Sequence, residues 1–144
     1  IGAVDGLSVG GRWADLGSGA GFPGIALAAL HADAEALLVE SRQKRAIFLK
    51  KVVAEAKLDN ARVVHGRTES LEDGTFDGII SRAYKPPRKF LADAQRLLRP
   101  GGVAVMMLGD RTDHDLPIGW ERVRTDRYAV ADGFRVRTVA RRAE

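Results

Sequence analysis

The sequence predicts an α/β domain on a mainly parallel seven-stranded sheet, with an antiparallel hairpin at its C-terminal edge. Three observations carry this expectation. Apolar runs of strand length alternate with helical patterns through most of the chain, as parallel β-α units do. The run "VAVMML" (103–108) is apolar without interruption, which suits a strand covered on both faces. The last segment alternates polar and apolar residues on either side of "ADG" (131–133), as two paired antiparallel strands would.

The elements follow in order. "RWADL" (12–16) reads as the first strand, with Trp13 in the core. "PGIALAAL" (23–30) reads as a helix with Pro23 at its first position, where the missing N–H is not needed. "ALLVE" (36–40) is a second strand ending in an acid. Ser41 offers an N-cap for a helix to about Lys57, whose Phe48, Val52, Val53 and Ala56 form an apolar stripe. "ARVVH" (61–65) and "FDGIIS" (76–81) are the third and fourth strands. Arg88 to Leu98 is helical, and "RPGG" ends it before the fifth strand. "WERVRTDRYAV" and "FRVRTVARR" form the hairpin, with Trp120 as its anchor.

Composition bounds the function. The chain has 144 residues, of which 45% are hydrophobic, enough for a core and unlike a disordered chain. Its apolar runs are too short for a membrane-spanning helix, and no signal-peptide pattern opens it. Cysteine is absent, which removes disulfides, thiolate zinc sites and cysteine nucleophiles and is compatible with a cytoplasmic location. A net charge of +4 suits a polyanionic partner. The chain starts at Ile1 and reaches a core strand within a few residues, so we expect one domain over 1–144 that lacks an N-terminal segment.

The chemistry concentrates in "ADLGSGAGFPG" (14–24), which supports two readings. It contains G-x-G-x-x-G (Gly19, Gly21, Gly24), the dinucleotide pattern, and D-x-G-x-G-x-G (Asp15, Gly17, Gly19, Gly21), a different nucleoside-binding pattern. In the first reading the glycines begin too far beyond the strand, and Asp15 would lie beside a pyrophosphate. In the second, Asp15 faces a cofactor with an ammonium and a sulfonium and no phosphate, which S-adenosylmethionine (AdoMet) is. Glu40 would accept ribose hydroxyls in either case. Five parallel units followed by a hairpin, with "LLRPGG" (97–102) before strand five, is the layout of the Rossmann-like class I AdoMet-dependent methyltransferases.

The likeness is narrower than that class. "DLGSGAGFPG", "ESRQKRAIFLKKV", "HGRTESL" and "FDGIISRAY" together resemble the glucose-inhibited division protein B family over roughly residues 12–110. The resemblance implies methylation of N7 of one guanine in the 530 loop of 16S ribosomal RNA, with AdoMet as cofactor and the RNA or small ribosomal subunit as partner. It implies that Gly17, Ser18, Gly19 and Phe22, with Asp15, line the cofactor site, that Glu40 and Ser41 hold the ribose, and that Thr68 and Glu69 flank the adenine. Arg82 would sit at the mouth, and Lys44 and Arg67 would lie near substrate or cofactor. The protein would act as a monomer. Two departures stand out: Leu108 occupies the place of a family lysine, whose role, if that lysine contacts RNA, is lost or has moved to Arg111, and the family's N-terminal helical segment is not in the sequence.

The residue types fit this chemistry. Guanine N7 has an in-plane lone pair and no proton to lose, so it needs alignment and desolvation and no base. Methylation of cytosine C5 would require a cysteine, and "SRAYKPP" (81–87) lacks the motif of exocyclic-amine methylases. Tyr84, directly after strand four, could stack near the target base or cap the core. Lys44, Arg45, Lys50 and Lys51 read equally as an RNA-facing patch and as a solvated helix face. "DRTDHD" (110–115) has no standard metal spacing, and no metal is expected. His31 and His65 fall at element ends and read as incidental. Open alternatives are a small-molecule methyltransferase, an NAD(P)-dependent oxidoreductase and a cofactor-binding module without activity.

Overall fold

The computed structural model describes residues 4, 6–109 and 115–144. The strands are β1 (Gly11–Leu16), β2 (Ala34–Glu40), β3 (Ala61–His65), β4 (Phe76–Arg82), β5 (Leu98–Leu108), β6 (Trp120–Val130) and β7 (Gly133–Arg142). The helices are α1 (Gly24–Leu30), α2 (Gln43–Glu55) and α3 (Pro87–Leu97). The sheet order is β3-β2-β1-β4-β5-β7-β6. The first five strands pair in parallel, and β7 runs antiparallel to both β5 and β6.

Alternate residues of the central strands feed two separate cores, because successive side chains leave opposite faces of a strand. On one face Ala14, Leu16, Leu37, Val39, Ile79 and Met106 pack with Phe90, Leu91, Ala94 and Leu97 of α3. On the other, Trp13, Ala36, Leu38, Ile80 and Val105 pack with Leu27 and Ala28 of α1 and Leu49 of α2. This double burial explains the uninterrupted apolar runs in the central strands, such as Ala36–Val39 of β2 and Val103–Leu108 of β5. Gly78 is required beside Trp13: a Cβ there would fall 2.4 Å from the indole. Asn60 clamps three elements, donating from Nδ2 to the carbonyls of Ala28, His31 and Ala34.

Several boundaries differ from the sequence expectation. Ser41 is not the cap of α2. Arg42 takes the N-cap position with extended backbone and no side-chain cap bond, and its N–H donates to Glu40 Oε1 at 2.8 Å. The helix ends at Glu55, not near Lys57, which lies at φ 52°. Its buried residues are Ala46 and Leu49; Phe48 is half exposed and Ala56 exposed. Pro23 is the N-cap of α1, with Gly24 the first helical residue. "RPGG" does not end α3 from outside. The chain enters β5 directly at Leu98, and the pairing with β4 shifts register between Phe76 and Gly78. The β3–β4 crossover carries only a short 3₁₀ turn, Thr68–Ser70, in place of a full helix. Trp120 packs at the edge of the α3-side core, as expected of an anchor.

Candidate active site

Parallel strands deliver their carboxyl ends to one edge of a sheet, and ligands of open α/β sheets bind there. The ends of β1, β2 and β4 carry Leu16, Glu40 and Arg82, and the loop from β1 to α1 runs between them. Gly17, Gly19 and Gly21 have φ of 71°, 56° and 99°, a left-handed region that disfavours side chains. A Cβ on Gly21 would strike Ile25 at 2.2 Å. A Cβ on Gly19 would meet nothing closer than 3.8 Å and would project toward the open cleft.

Two buried acids hold this loop from beneath. Glu40 Oε2 accepts the Gly19 N–H at 3.0 Å, while Oε1 takes Arg42. Asp15 Oδ2 accepts the Gly24 N–H at 2.9 Å, tethering the start of α1 to the end of β1. Asp15 Oδ1 is buried and makes no hydrogen bond of full geometry among the described residues. Burial pushes the Asp15 carboxyl up to about 6, against the pull of the Gly24 bond and the Arg82 charge. Ser18 is buried, and its hydroxyl donates to the Asp15 carbonyl at 2.9 Å.

Above the loop lies a cleft of about 1000 Å³. Gly17, Ser18 and Gly19 form its floor with Arg82 and Met107. Phe22 and the α2 residues Lys44, Arg45 and Phe48 form one wall, and Tyr128, Val130, Asp132 and Arg135 of the hairpin form another. A second cavity of about 210 Å³ adjoins it, with Ser41, Arg67, Thr68, Glu69 and Tyr84 around it. Gly17 borders both cavities. Thr68 is buried, and its hydroxyl shares a hydrogen bond with the Tyr84 hydroxyl at 3.0 Å. A backbone hydrogen bond of its own holds the Glu69 carboxyl below the usual range, helped by Lys85 and Arg67.

The structure thus brings Arg82 and Lys44 together in the cleft and places Arg67 in the adjoining cavity. Gly17, Ser18, Gly19 and Phe22 line the cleft; Ser41, Thr68 and Glu69 line the second cavity. Asp15 and Glu40 border neither and act on the loop from below. Tyr84 lies against Gly17, where a Cβ would come within 2.6 Å of its ring, and belongs to the second cavity and not to the cleft. Lys51 pairs with Glu55 and is not among the cleft residues. His65 contacts the Ser41 carbonyl, and His31 closes α1. Among the described residues no cluster could hold a metal ion; most of "DRTDHD", with Arg111, lies outside the described residues.

Sequence reasoning missed the hairpin wall and Phe48. Phe48 was legible only as an apolar helix position, and the hairpin only as an edge. That the hairpin tip reaches the cleft follows from β7 pairing with β5.

A glycine loop between β1 and α1, an acid ending β2 and a C-terminal hairpin inserted beside β5 define the fold of the class I AdoMet-dependent methyltransferases. Two solved structures share it: a SAM-dependent methyltransferase from Aquifex aeolicus (TM-score 0.73, 18% identity, covering 96% of this chain and 85% of that one), and cofactor-bound Rv0187 from MTB (TM-score 0.75, 21% identity, 92% and 73%). The chain belongs to the GidB family, rRNA small subunit methyltransferase G, whose profile matches residues 3–132. Relatives named ribosomal RNA small subunit methyltransferase G include those of Novosphingobium aromaticivorans (37% identity, 78% of this chain and 50% of the relative) and Xanthomonas oryzae pv. oryzae (37%, 92% and 66%). The chain spans about half the length of the first of these.

Proposed function

We propose that the chain is the methyl-transferring part of an AdoMet-dependent enzyme acting on small-subunit ribosomal RNA, at N7 of a guanine in the 530 loop of 16S RNA. The observation that carries this reading is the pair of cavities meeting at Gly17, over a loop held by two buried acids. The residues fit AdoMet: Gly19 leaves room where a Cβ would intrude, and the carboxylates of Asp15 and Glu40 put negative charge beneath a site for a cation. Ser41, Thr68 and Glu69 would hold the nucleoside end; Gly17, Ser18, Gly19, Phe22 and Arg82 would hold the methionyl end. When bound, AdoMet supplies an electrophilic methyl group.

Lys44 faces the cleft as an exposed cation and suits an RNA phosphate, and Arg67 does the same at the second cavity. The wall of Phe22 and Phe48 displaces water from the base. Guanine N7 has an in-plane lone pair and no proton to lose, so the chain's own residues would need only to align the base with the donated methyl group and would need no general base. This agrees with a cleft lined by cations and apolar groups. A cytoplasmic, monomeric enzyme is part of the proposal.

Transfer of a tritiated methyl group to small subunits lacking the modification, followed by mapping of the labelled base, tests it. Label at a single guanine is expected. Arg82→Ala should reduce turnover by about tenfold or more through lost alignment. Unlabelled RNA, or unchanged turnover in Arg82→Ala, would overturn the substrate or the role of Arg82 respectively.

A further inference from the structure

The charge of the chain is not spread evenly. Between Trp120 and Arg142 seven arginines accompany three acids, an excess of four positive charges. That excess equals the net charge of all 144 residues, so the remainder of the chain is balanced. The whole basic character therefore resides in the hairpin of β6 and β7.

Its tip is also aromatic on both faces. Tyr128 and Arg135 are register partners and line the cleft together. On the opposite face the Arg127 guanidinium lies 4.2 Å from the centre of the Phe134 ring, and Phe134 is half exposed. Asp132 pairs with Arg135 at 2.8 Å, and the buried Arg137 is paired with Asp126, while the Arg127 guanidinium is placed by the Phe134 ring. Arginine beside an exposed aromatic ring is the combination that binds single-stranded nucleic acid: the ring stacks on a base of any identity and the guanidinium meets the phosphate. β6 is the sheet edge, so a strand of RNA can approach it without displacing protein.

We infer that the β6–β7 hairpin is an RNA-binding arm, gripping the single-stranded nucleotides that flank the target base as they leave the cleft. The inference rests on the RNA reading proposed above and assigns the flanking-strand contacts to Arg127, Phe134, Tyr128 and Arg135. It places them on a hairpin whose second strand lies beyond the residues matched by the family profile.

The test is fluorescence anisotropy with a labelled single-stranded RNA of about twelve nucleotides, with the KM for small subunits measured in parallel. Arg127→Ala combined with Phe134→Ala should weaken RNA binding about tenfold and reduce the slope of log affinity against log salt by about one. The KM for small subunits should rise, while AdoMet affinity and melting temperature stay as in the parent. Phe134→Trp, which keeps a stacking surface, should retain parental binding. Unchanged RNA affinity in the double variant overturns the inference while leaving the methyltransferase reading intact. So does a self-association that the same substitutions abolish, since β6 would then be an edge paired with a second copy. A parent protein that binds AdoMet but neither binds nor methylates RNA overturns both.

Discussion

Asp15 shows what it costs to bury an acid beneath the glycine loop. It is buried, and one oxygen accepts the Gly24 N–H. Its carboxyl titrates near 6 in the fold and at the ordinary 3.8 when unfolded, so the native state holds a proton that the unfolded chain releases. The contribution of Asp15 to stability is therefore full below about pH 4 and is lost as pH rises through about 6. Asp15→Asn keeps an acceptor for the Gly24 N–H and cannot ionise. It should be more stable than the parent by about 1–2 kcal/mol at pH 7.5, a gain that vanishes below about pH 4. Urea titrations at the two pH values check this, and AdoMet affinity should fall in the same variant if the charge serves a cation. The position of Asp15 and Glu40 at strand ends was legible in the sequence. Their hydrogen-bond partners were not, because Gly24 and Gly19 are brought to them by the loop and by the pairing of β1 with β2.

At the level of elements, α2 shows how helical periodicity misleads when a helix borders a site. The sequence suggests one apolar stripe through Phe48, Val52, Val53 and Ala56, whereas the structure buries Ala46 and Leu49. Packing against the sheet sets which face is buried, and Phe48 faces the cleft instead. A binding wall needs apolar residues in partial solvent, so it imitates a core stripe in sequence. Leu49→Ala should therefore destabilise the fold by about 2–5 kcal/mol, as full burial of a leucine implies. Phe48→Ala should change stability by less than about 0.5 kcal/mol and weaken substrate binding. Denaturant unfolding of the two variants, compared with KM for the proposed RNA substrate, separates the roles. The cap of this helix was missed for a related reason: Ser41 has the right chemistry, but the Glu40 carboxylate already takes the Arg42 N–H and the chain turns one residue later.

Across the whole molecule, the sheet order puts the glycine loop, the acid of β2 and the end of β4 at one edge, and β7 brings the hairpin to the same edge. This architecture was legible because an apolar run marks the centre of each parallel strand and the hairpin alternates. The reach of the hairpin into the cleft was not, since it depends on pairing between β5 and a strand about thirty residues further along the chain. The same arrangement decides between cofactors that share a glycine pattern. A dinucleotide would set a pyrophosphate at the loop, yet the loop sits on two buried acids, and α1 is only seven residues long, with its first N–H already given to Asp15. A cation gains from that field and a diphosphate loses. AdoMet at about one hundred times its dissociation constant should stabilise the native state by about 2.7 kcal/mol, which for a domain of this size raises the melting temperature by about 5–10 °C. NAD(H) at the same concentration should leave it unchanged. A thermal-shift series with both cofactors makes the comparison, and protection by the dinucleotide alone would reverse the assignment of the loop.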